Sequence, residues 1–511
     1  MTMSASMKTR RTFHRAGLML LAATMLAGCT VGPRYQPDRM KLPPGFAEDE
    51  HAATPAEIAR TNAELKDWWH RFGDAELDRL VDRAIAGNYD LQIAGQRILA
   101  ERALRDVQAS AWYPQVDANT TDGDARYSIN VDNWPLRPGN PANRPGASYL
   151  SYGVSASWQI DVFGRIRRAV EASEHAVEEN VEERRAVLMT MLSSLVSDYM
   201  VLRDTQLRLE ISNRNIGVAQ EAYDLTRRLY LEGVGNTLQI AQAKAELDAQ
   251  QAAREPLRTH IAQITHAIDV LMGQVPGTTE AELKVAQPLP QVPEFPATVP
   301  SIVLGNRPDI RRAERAYAEA TARIGVAVAQ MYPNFAIPLN FNPNASAMYQ
   351  VFEAGALSWQ FFMLASLPLM HGGKLTGQIR AAQAAAEASR LTYRQTVLGA
   401  FREVEDAMAA WHDDVEHTEL LHRAAEDSRL ASDRARKLYA AGLVGFLEVL
   451  TTERTALAAE NAEAVARLER LQDAIDLYTA MGAGWQGVGV TASALPVSLE
   501  KQNVLARAFQ D

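Results

Sequence analysis

The chain is poor in the features that usually announce a chemistry. It has a single cysteine, Cys29, in 511 residues, so no intramolecular disulfide can form. Positive charge is in deficit, with 52 Lys+Arg against 62 Asp+Glu, and a chain with that balance is a poor binder of nucleic acid. Aromatic residues are only 7% of a composition that is 47% apolar, which is the balance of one long helical object. No glycine-rich phosphate loop, Gly-x-Ser-x-Gly or cysteine pair is present. With no catalytic constellation to name, the chain is expected not to be an enzyme. His412, His417 and His422 are spaced by five, which turns a helix by about 500° and leaves successive rings about 140° apart. They cannot share a ligand face, so no metal site is expected.

What is present begins at the amino terminus. Lys8, Arg10, Arg11 and Arg15 precede the apolar run Ala16 to Ala27, the layout of an export signal, and that run is too short to cross a bilayer as a helix. Leu26-Ala27-Gly28-Cys29 is similar to the bacterial lipobox, which implies cleavage between Gly28 and Cys29 and acylation of Cys29. Thr30 follows, and the lack of Asp there fits sorting to the outer membrane. Removal of the signal leaves 48 Lys+Arg against 62 Asp+Glu, a net charge of −14. That excess suits either a cation-tolerant interior or a solvated acidic exterior.

The chain is written twice. Asn88-Tyr89-Asp90-Leu91 and Tyr113-Pro114 return as Arg307-Pro308-Asp309-Ile310 and Tyr332-Pro333, at an offset of 219. Phe163-Gly164-Arg165, Leu229-Tyr230 and Leu238 return at an offset of 209 as Gly372-Gly373-Lys374, Leu438-Tyr439 and Leu447. The first copy therefore carries ten extra residues between Pro114 and Gly164, where Asn133-Trp134-Pro135 and Pro138-Gly139-Asn140-Pro141 read as a long loop. Proline-rich residues between the copies read as a connector. The expected order is a signal peptide (1–28), a lipid-anchored linker (29–60), a first repeat (61–272), the connector (273–305), a second repeat (306–482) and a tail (483–511). Both ends and the connector are expected to lie together as a layer wrapped around the helices.

Neither 164–231 nor 373–440 contains proline, and each predicts a helix on the order of 100 Å long. The expected long helices are 164–232 and 373–441, followed by helices 236–271 and 445–481. Val397, Phe401, Val404, Met408, Trp411 and Val415 step by four and three, a buried coiled-coil seam, and Leu188, Leu192, Leu195, Tyr199 and Leu202 repeat it in the first copy. Gly233-Val234-Gly235 and Gly442-Leu443-Val444-Gly445 break the pattern as hairpin tips.

Tyr152, Val154, Ala156, Trp158 and Ile160 alternate with Ser151, Gly153, Ser155, Ser157 and Gln159, the pattern of a barrel strand between lipid and water. Strands are expected at about 115–129, 149–160, 335–347 and 356–369, with Pro338 removing one ladder donor. Four strands cannot close a transmembrane barrel, and an open edge in hydrocarbon leaves peptide groups unpaired at several kcal/mol apiece. Several copies must then share one barrel, two or three being the small choices, and three copies supply twelve strands with a lumen wide enough for solutes.

Ala27-Gly28-Cys29-Thr30-Val31-Gly32-Pro33-Arg34-Tyr35, Trp68-Trp69 with Phe72, and Asn306-Arg307-Pro308-Asp309-Ile310-Arg311 leading through Ile324-Gly325 to Tyr332-Pro333 carry a resemblance over essentially the whole mature chain. The chain resembles the TolC-like outer-membrane factors, in their NodT-type lipoprotein branch. The resemblance implies a mostly α, internally duplicated fold with four β-strands and long coiled-coil helices per protomer. It also implies a homotrimer forming a 12-stranded membrane β-barrel continued by an α-helical periplasmic tunnel. The implied partners are a periplasmic adaptor, an inner-membrane transporter of RND type and outer-membrane lipid; no cofactor beyond the lipid on Cys29 is implied. The tips Gly233, Val234, Gly235 and Gly442, Leu443, Val444, Gly445 match the adaptor-facing end. Leu447 matches the leucine that closes the resting aperture in relatives, but Thr451 stands where they carry aspartate. Glu448 and Glu453 lie nearby, either supplying that charge or only solvating the helix.

The function expected is a passive exit duct for small molecules. An outer-membrane channel for secreted proteins or metal ions shares the architecture, and a non-conducting periplasmic coiled-coil lipoprotein is the reading from another class. The duplicated strand pair speaks against the last, because a scaffold has no use for two hairpins that are greasy on one face and polar on the other.

Overall fold

The computed structural model describes residues 30–38, 40, 65–126, 146–293, 305–345 and 348–489. Gly28 and Cys29 with the signal before them, the loop at 127–145 and the tail from 490 lie outside the described residues.

Among the described residues a short 3-10 turn, Trp68–Phe72, precedes α1 (Ala75–Gly87) and α2 (Tyr89–Ser110). Then follow β1 (Gln115–Arg126), β2 (Gly146–Ile160), α3 (Arg165–Leu231), α4 (Thr237–Leu271) and the single turn α5 (Glu280–Leu283). The second copy comprises α6 (Pro308–Ala329), β3 (Asn334–Phe341), β4 (Asn344–Ala345), β5 (Trp359–Phe361), β6 (Leu364–Ser366), α7 (Lys374–Ala440) and α8 (Phe446–Ala480). The duplication is kept to the residue: α3 and α7 each hold 67 residues, and α4 and α8 each hold 35. Local chemistry sets several boundaries. The Asp74 carboxylate accepts from Glu76 N (2.8 Å) and Leu77 N (3.2 Å) to start α1. Asn88 is extended between α1 and α2, and its side chain accepts from Leu91 N at 2.9 Å to restart the helix.

The chain divides into two compact units. One comprises Met1–Asp38, Ala100–Glu178 and Glu314–Thr392; the other comprises Arg39–Leu99, Glu179–Ala313 and Tyr393–Asp511. The first unit contains one antiparallel sheet in the order β1-β2-β3-β5, with β4 beside β2 and β6 beside β3. The fourth strand is not the continuous segment 356–369 that alternation suggested. It is broken at Phe362-Met363 into β5 and β6, opposite Pro338. Pro338 O accepts from Phe362 N at 3.2 Å, and a residue's N–H and C=O in an antiparallel ladder face the same neighbour. The donor that proline lacks is therefore missing on that side, and pairing lapses there. The strand expected at 335–347 is likewise interrupted, at Asn342-Pro343.

The second unit holds the main apolar core. Leu188, Leu192, Leu195, Tyr199 and Leu202 of α3 are buried against Leu77, Leu80 and Val81 of α1, Ile264 and Ile268 of α4, and Leu471, Ile475 and Tyr478 of α8. Trp68 lies stacked on Tyr478 with ring centroids 5.2 Å apart. Each such side chain contributes about 1.5–3 kcal/mol on burial. By length and composition α3 is apolar enough to cross a membrane, yet half of its most apolar window is buried inside the protein, as in a core helix. The second seam is less covered: Val397 and Val404 are buried, Phe401, Met408 and Trp411 are half-buried, and Val415 is 44% exposed. Of the expected wrapping layer, Leu283, Leu289, Val292 and Trp485 pack into the second unit's core, joined there by Leu65, Trp68, Trp69 and Phe72 from the start of the first repeat, whereas Thr30–Asp38 belong to the first unit.

Candidate functional site

Two features of the molecule can act on its surroundings: the sheet of the first unit and the hairpin tips of the second. The sheet has two chemically distinct faces. On one, Val116, Tyr152, Val154, Trp158, Leu339, Phe341, Trp359 and Phe361 are all exposed apolar side chains. From Leu150 to Ile160 this band runs about 35 Å along the strand, or about 25 Å along a membrane normal at a tilt of ~45°, the height of a barrel's apolar belt. Such a surface is a poor match for water and a good one for lipid.

The end of the sheet where β1 begins and β2 ends carries several aromatics. Trp158 Nε1 donates to Trp112 O at 2.9 Å, Phe163 packs on Tyr332 at 4.8 Å, and Tyr113 is exposed. Aromatic girdles of this kind sit where membrane meets water. The amino-terminal segment is tied to the same place. Val31 N donates to Phe163 O at 3.2 Å, Arg168 reaches Gly32 O at 3.4 Å, and Tyr35 OH donates to Glu314 at 2.8 Å. Gly32 crosses Gly325 so closely that a Cβ on Gly32 would stand 2.5 Å from the Gly325 Cα, so Gly32 has no room for a side chain; a Cβ on Gly325 would meet the Arg168 side chain, at 2.8 Å from its Cγ.

At the other feature, α3 and α7 end alike. Gly233 (φ +80°) and Gly442 (φ +73°) take the left-handed conformation. Val234 N donates to Leu229 O and Gly233 N to Tyr230 O, at 2.9 and 3.0 Å; Leu443 N and Gly442 N make the same pair to Leu438 O and Tyr439 O, each at 2.9 Å. These are Schellman closures, in which glycine avoids the Cβ penalty of positive φ. The return differs: Asn236 and Gln239 form a reciprocal capping box on α4, while Gly445 starts α8 without a side-chain cap. Leu231, Val234, Leu238, Leu443 and Leu447 stand exposed around the two tips.

The molecule thus combines a sheet with a lipid-like face and two long, glycine-tipped helical hairpins. The family model described as outer membrane efflux protein matches residues 80–274 and 299–483. The chain belongs to the outer membrane efflux protein family. The cation efflux system protein CusC of Escherichia coli O6:H1 is 28% identical over 469 residues, which cover 92% of this chain and 98% of that one. The probable efflux pump outer membrane protein TtgC of Pseudomonas putida is 27% identical over 478 residues, covering 92% and 96%. Among solved structures, the outer-membrane channel OprN superposes with a TM-score of 0.79 at 31% identity, covering 90% of this chain and 100% of that one. This member of the family is thus an outer-membrane efflux channel, the outer component of a tripartite pump.

Within this efflux protein the residues expected near the aperture fall into two groups. Leu447 is 66% exposed, as is its first-copy counterpart Leu238 at 63%. Glu448 and Thr451 are exposed beside Leu447, and Thr451 Oγ1 donates back to Leu447 O at 2.8 Å. Glu453 is elsewhere. Six residues beyond Leu447 the helix has turned by about 600°, so Glu453 lies about 120° round and is only 7% exposed. It faces a cavity of about 240 Å³ between α3, α4, α7 and α8, lined by Arg214, Glu246, Gln250, Asp433 and Arg436 among others. Its Oε1 lies 3.7 Å from Arg436 Nε and has no hydrogen bond. Burial, opposed by Arg436 and reinforced by Glu246, pushes its pKa from the usual 4.5 to about 7.

Sequence reasoning gave Leu238 no role, although the 209 offset that pairs it with Leu447 was in hand. It also missed a polar ladder between α7 and α8. His422 Nδ1 is 2.7 Å from Glu463, Arg429 bonds Glu460, and Arg436 faces Glu453. The spacing of seven along α7 was the available signal. In the first copy the same positions are Asn213, Gln220 and Arg227 opposite Arg254, Gln251 and Lys244, so the two hairpins differ in charge.

Proposed function

We propose that this efflux channel works as a homotrimer whose sheets join into one twelve-stranded barrel, and that it is a passive duct which carries out no chemical step. The observation that supports this most is the sheet itself: β1 at one end and β5 with β6 at the other leave edge groups with no neighbour among the described strands. In hydrocarbon such edges cost several kcal/mol per unpaired group, and joining edge to edge with identical copies satisfies all of them.

On this reading the exposed apolar tips meet a periplasmic adaptor, and an inner-membrane transporter of RND type delivers small molecules and supplies the energy. Leu447, with Leu238, narrows the periplasmic aperture, and Thr451 makes it less anionic than an aspartate would. Acyl chains on Cys29 enter the membrane beside the aromatic ring, a placement supported by the hold on Val31 one residue beyond Thr30. The purified protein added to planar bilayers tests the reading. Discrete, ohmic current steps are expected; a protein that inserts and never conducts would refute it in favour of a scaffold.

A further inference from the structure

Charge is distributed unevenly over the strands. β2, β3, β4, β5 and β6 contain no Asp, Glu, Lys or Arg. β1 contains Asp117, Asp122, Asp124 and Arg126. Directly paired residues of neighbouring strands share a face. Asp117 pairs with Ser155, Ser155 with Asn340, and Asn340 with Gln360, so one row across the sheet reads carboxylate, hydroxyl, amide, amide. Gln115 pairs with Ser157, and Asn119 with Gly153, on either side of that row. Asp122 pairs with Leu150 and Asp124 with Ser148, which puts both on the opposite face, at the far end of the apolar band. Asp117 is exposed, and no basic side chain pairs with it among the described residues.

We propose that Asp117 sets the charge selectivity of the barrel lumen: one carboxylate per copy, all at one level of an otherwise neutral lining, favouring cationic and neutral solutes over anions. The inference rests on the shared-barrel reading above. Twelve strands about 4.8 Å apart and tilted by about 40° enclose a backbone radius of about 12 Å, so three Asp117 carboxylates stand roughly 10 Å from the axis. A reporter at Asn119, two residues along the same face, lies about 7 Å from its own Asp117 and about 17 Å from the other two. Screened Coulomb attraction in water then enriches a monovalent cation there about fourfold at 0.01 M salt and about twofold at 0.1 M. The cation-to-anion ratio is the square of these factors, roughly fifteenfold and roughly fourfold.

The test is labelling of Asn119→Cys in the membrane-inserted full chain by two membrane-impermeant methanethiosulfonates, one singly cationic and one singly anionic, added from the outer side. The natural chain has only Cys29, so the unsubstituted protein sets the background. Taking the ratio of the two rates cancels the thiol's own ionisation, because both reagents need the thiolate. With Asp117 present, the ratio is expected to exceed that on a free model thiol by roughly fifteenfold at 0.01 M salt. Asp117→Asn should remove that excess, and Asp117→Lys should invert it. Val116→Cys, on the apolar face, should not label. If Asn119→Cys labels, Val116→Cys does not, and the ratio ignores Asp117→Asn, the role of Asp117 is overturned while the barrel stands. If both positions label alike, the sheet does not divide lipid from water and the shared-barrel reading itself fails.

Discussion

Replacing Glu453 with glutamine should stabilise this channel at and above neutral pH, by an amount that the cavity between the four long helices determines. The Glu453 carboxylate is buried, with Arg436 and Asp433 facing it from α7, Glu246 and Gln250 from α4, and Arg214 from α3. Its pKa stands at about 7 in the folded protein against 4.5 for an ordinary glutamate. A folded-state pKa that is raised means the folded protein holds the proton more tightly, so the stability this contributes is complete below about pH 4.5 and is lost as pH climbs to about 7. Two and a half units correspond to about 3 kcal/mol. Glutamine keeps the shape and carries no charge to bury, and Arg436 retains its 2.7 Å ion pair with Asp433. Melting of wild type and Glu453→Gln in detergent at pH 5, 6, 7 and 8 reads the effect. The two curves should diverge from about pH 5 and run parallel above pH 7, with the variant more stable by about 3 kcal/mol. Asp473, pushed up to about 7 by burial beside Asp414, titrates in both proteins and leaves the difference untouched. Equal pH dependence in both proteins would refute the reasoning.

Other perturbations follow from single contacts. Arg203 is fully buried, donating to Glu76 (2.7 Å), Gln206 (2.8 Å) and Val285 O (2.9 Å). Arg203→Met leaves the Glu76 carboxylate unpaired and should destabilise by about 3–5 kcal/mol in chemical denaturation, with Glu76→Gln in the same background recovering part of the loss. Gly442→Ala forces a Cβ into the left-handed region and should cost about 1 kcal/mol locally, read as faster amide exchange over 438–446. Leu447→Ala should raise the single-channel conductance of the assembled channel; unchanged conductance would remove Leu447 from the aperture.

Much of this was legible from residue order alone. The ends of α3 and α7 are readable because no proline interrupts either run and because Gly233 and Gly442 occupy the one backbone conformation that other residues resist. The lipid-facing strand β2 is readable because its alternation is strict. The break between β5 and β6 was not, since it follows from the partner strand's Pro338, and pairing is not visible along one chain. Glu453 was misplaced for a related reason. Nearness to Leu447 in sequence suggested a shared surface, whereas helical phase turns it inward, where α4 and α7 supply the neighbours that raise its pKa. The exposed end of the second seam at Val415 had no local sign either, because periodicity identifies a face and not what covers it.

On the shared-barrel reading no single copy closes its own barrel. Native mass measurement of the full-length protein, extracted from the outer membrane in mild detergent, tests it directly. A particle of three chains is expected, with no monomer at micromolar concentration. A stable, water-soluble monomer that keeps its sheet without detergent would contradict it.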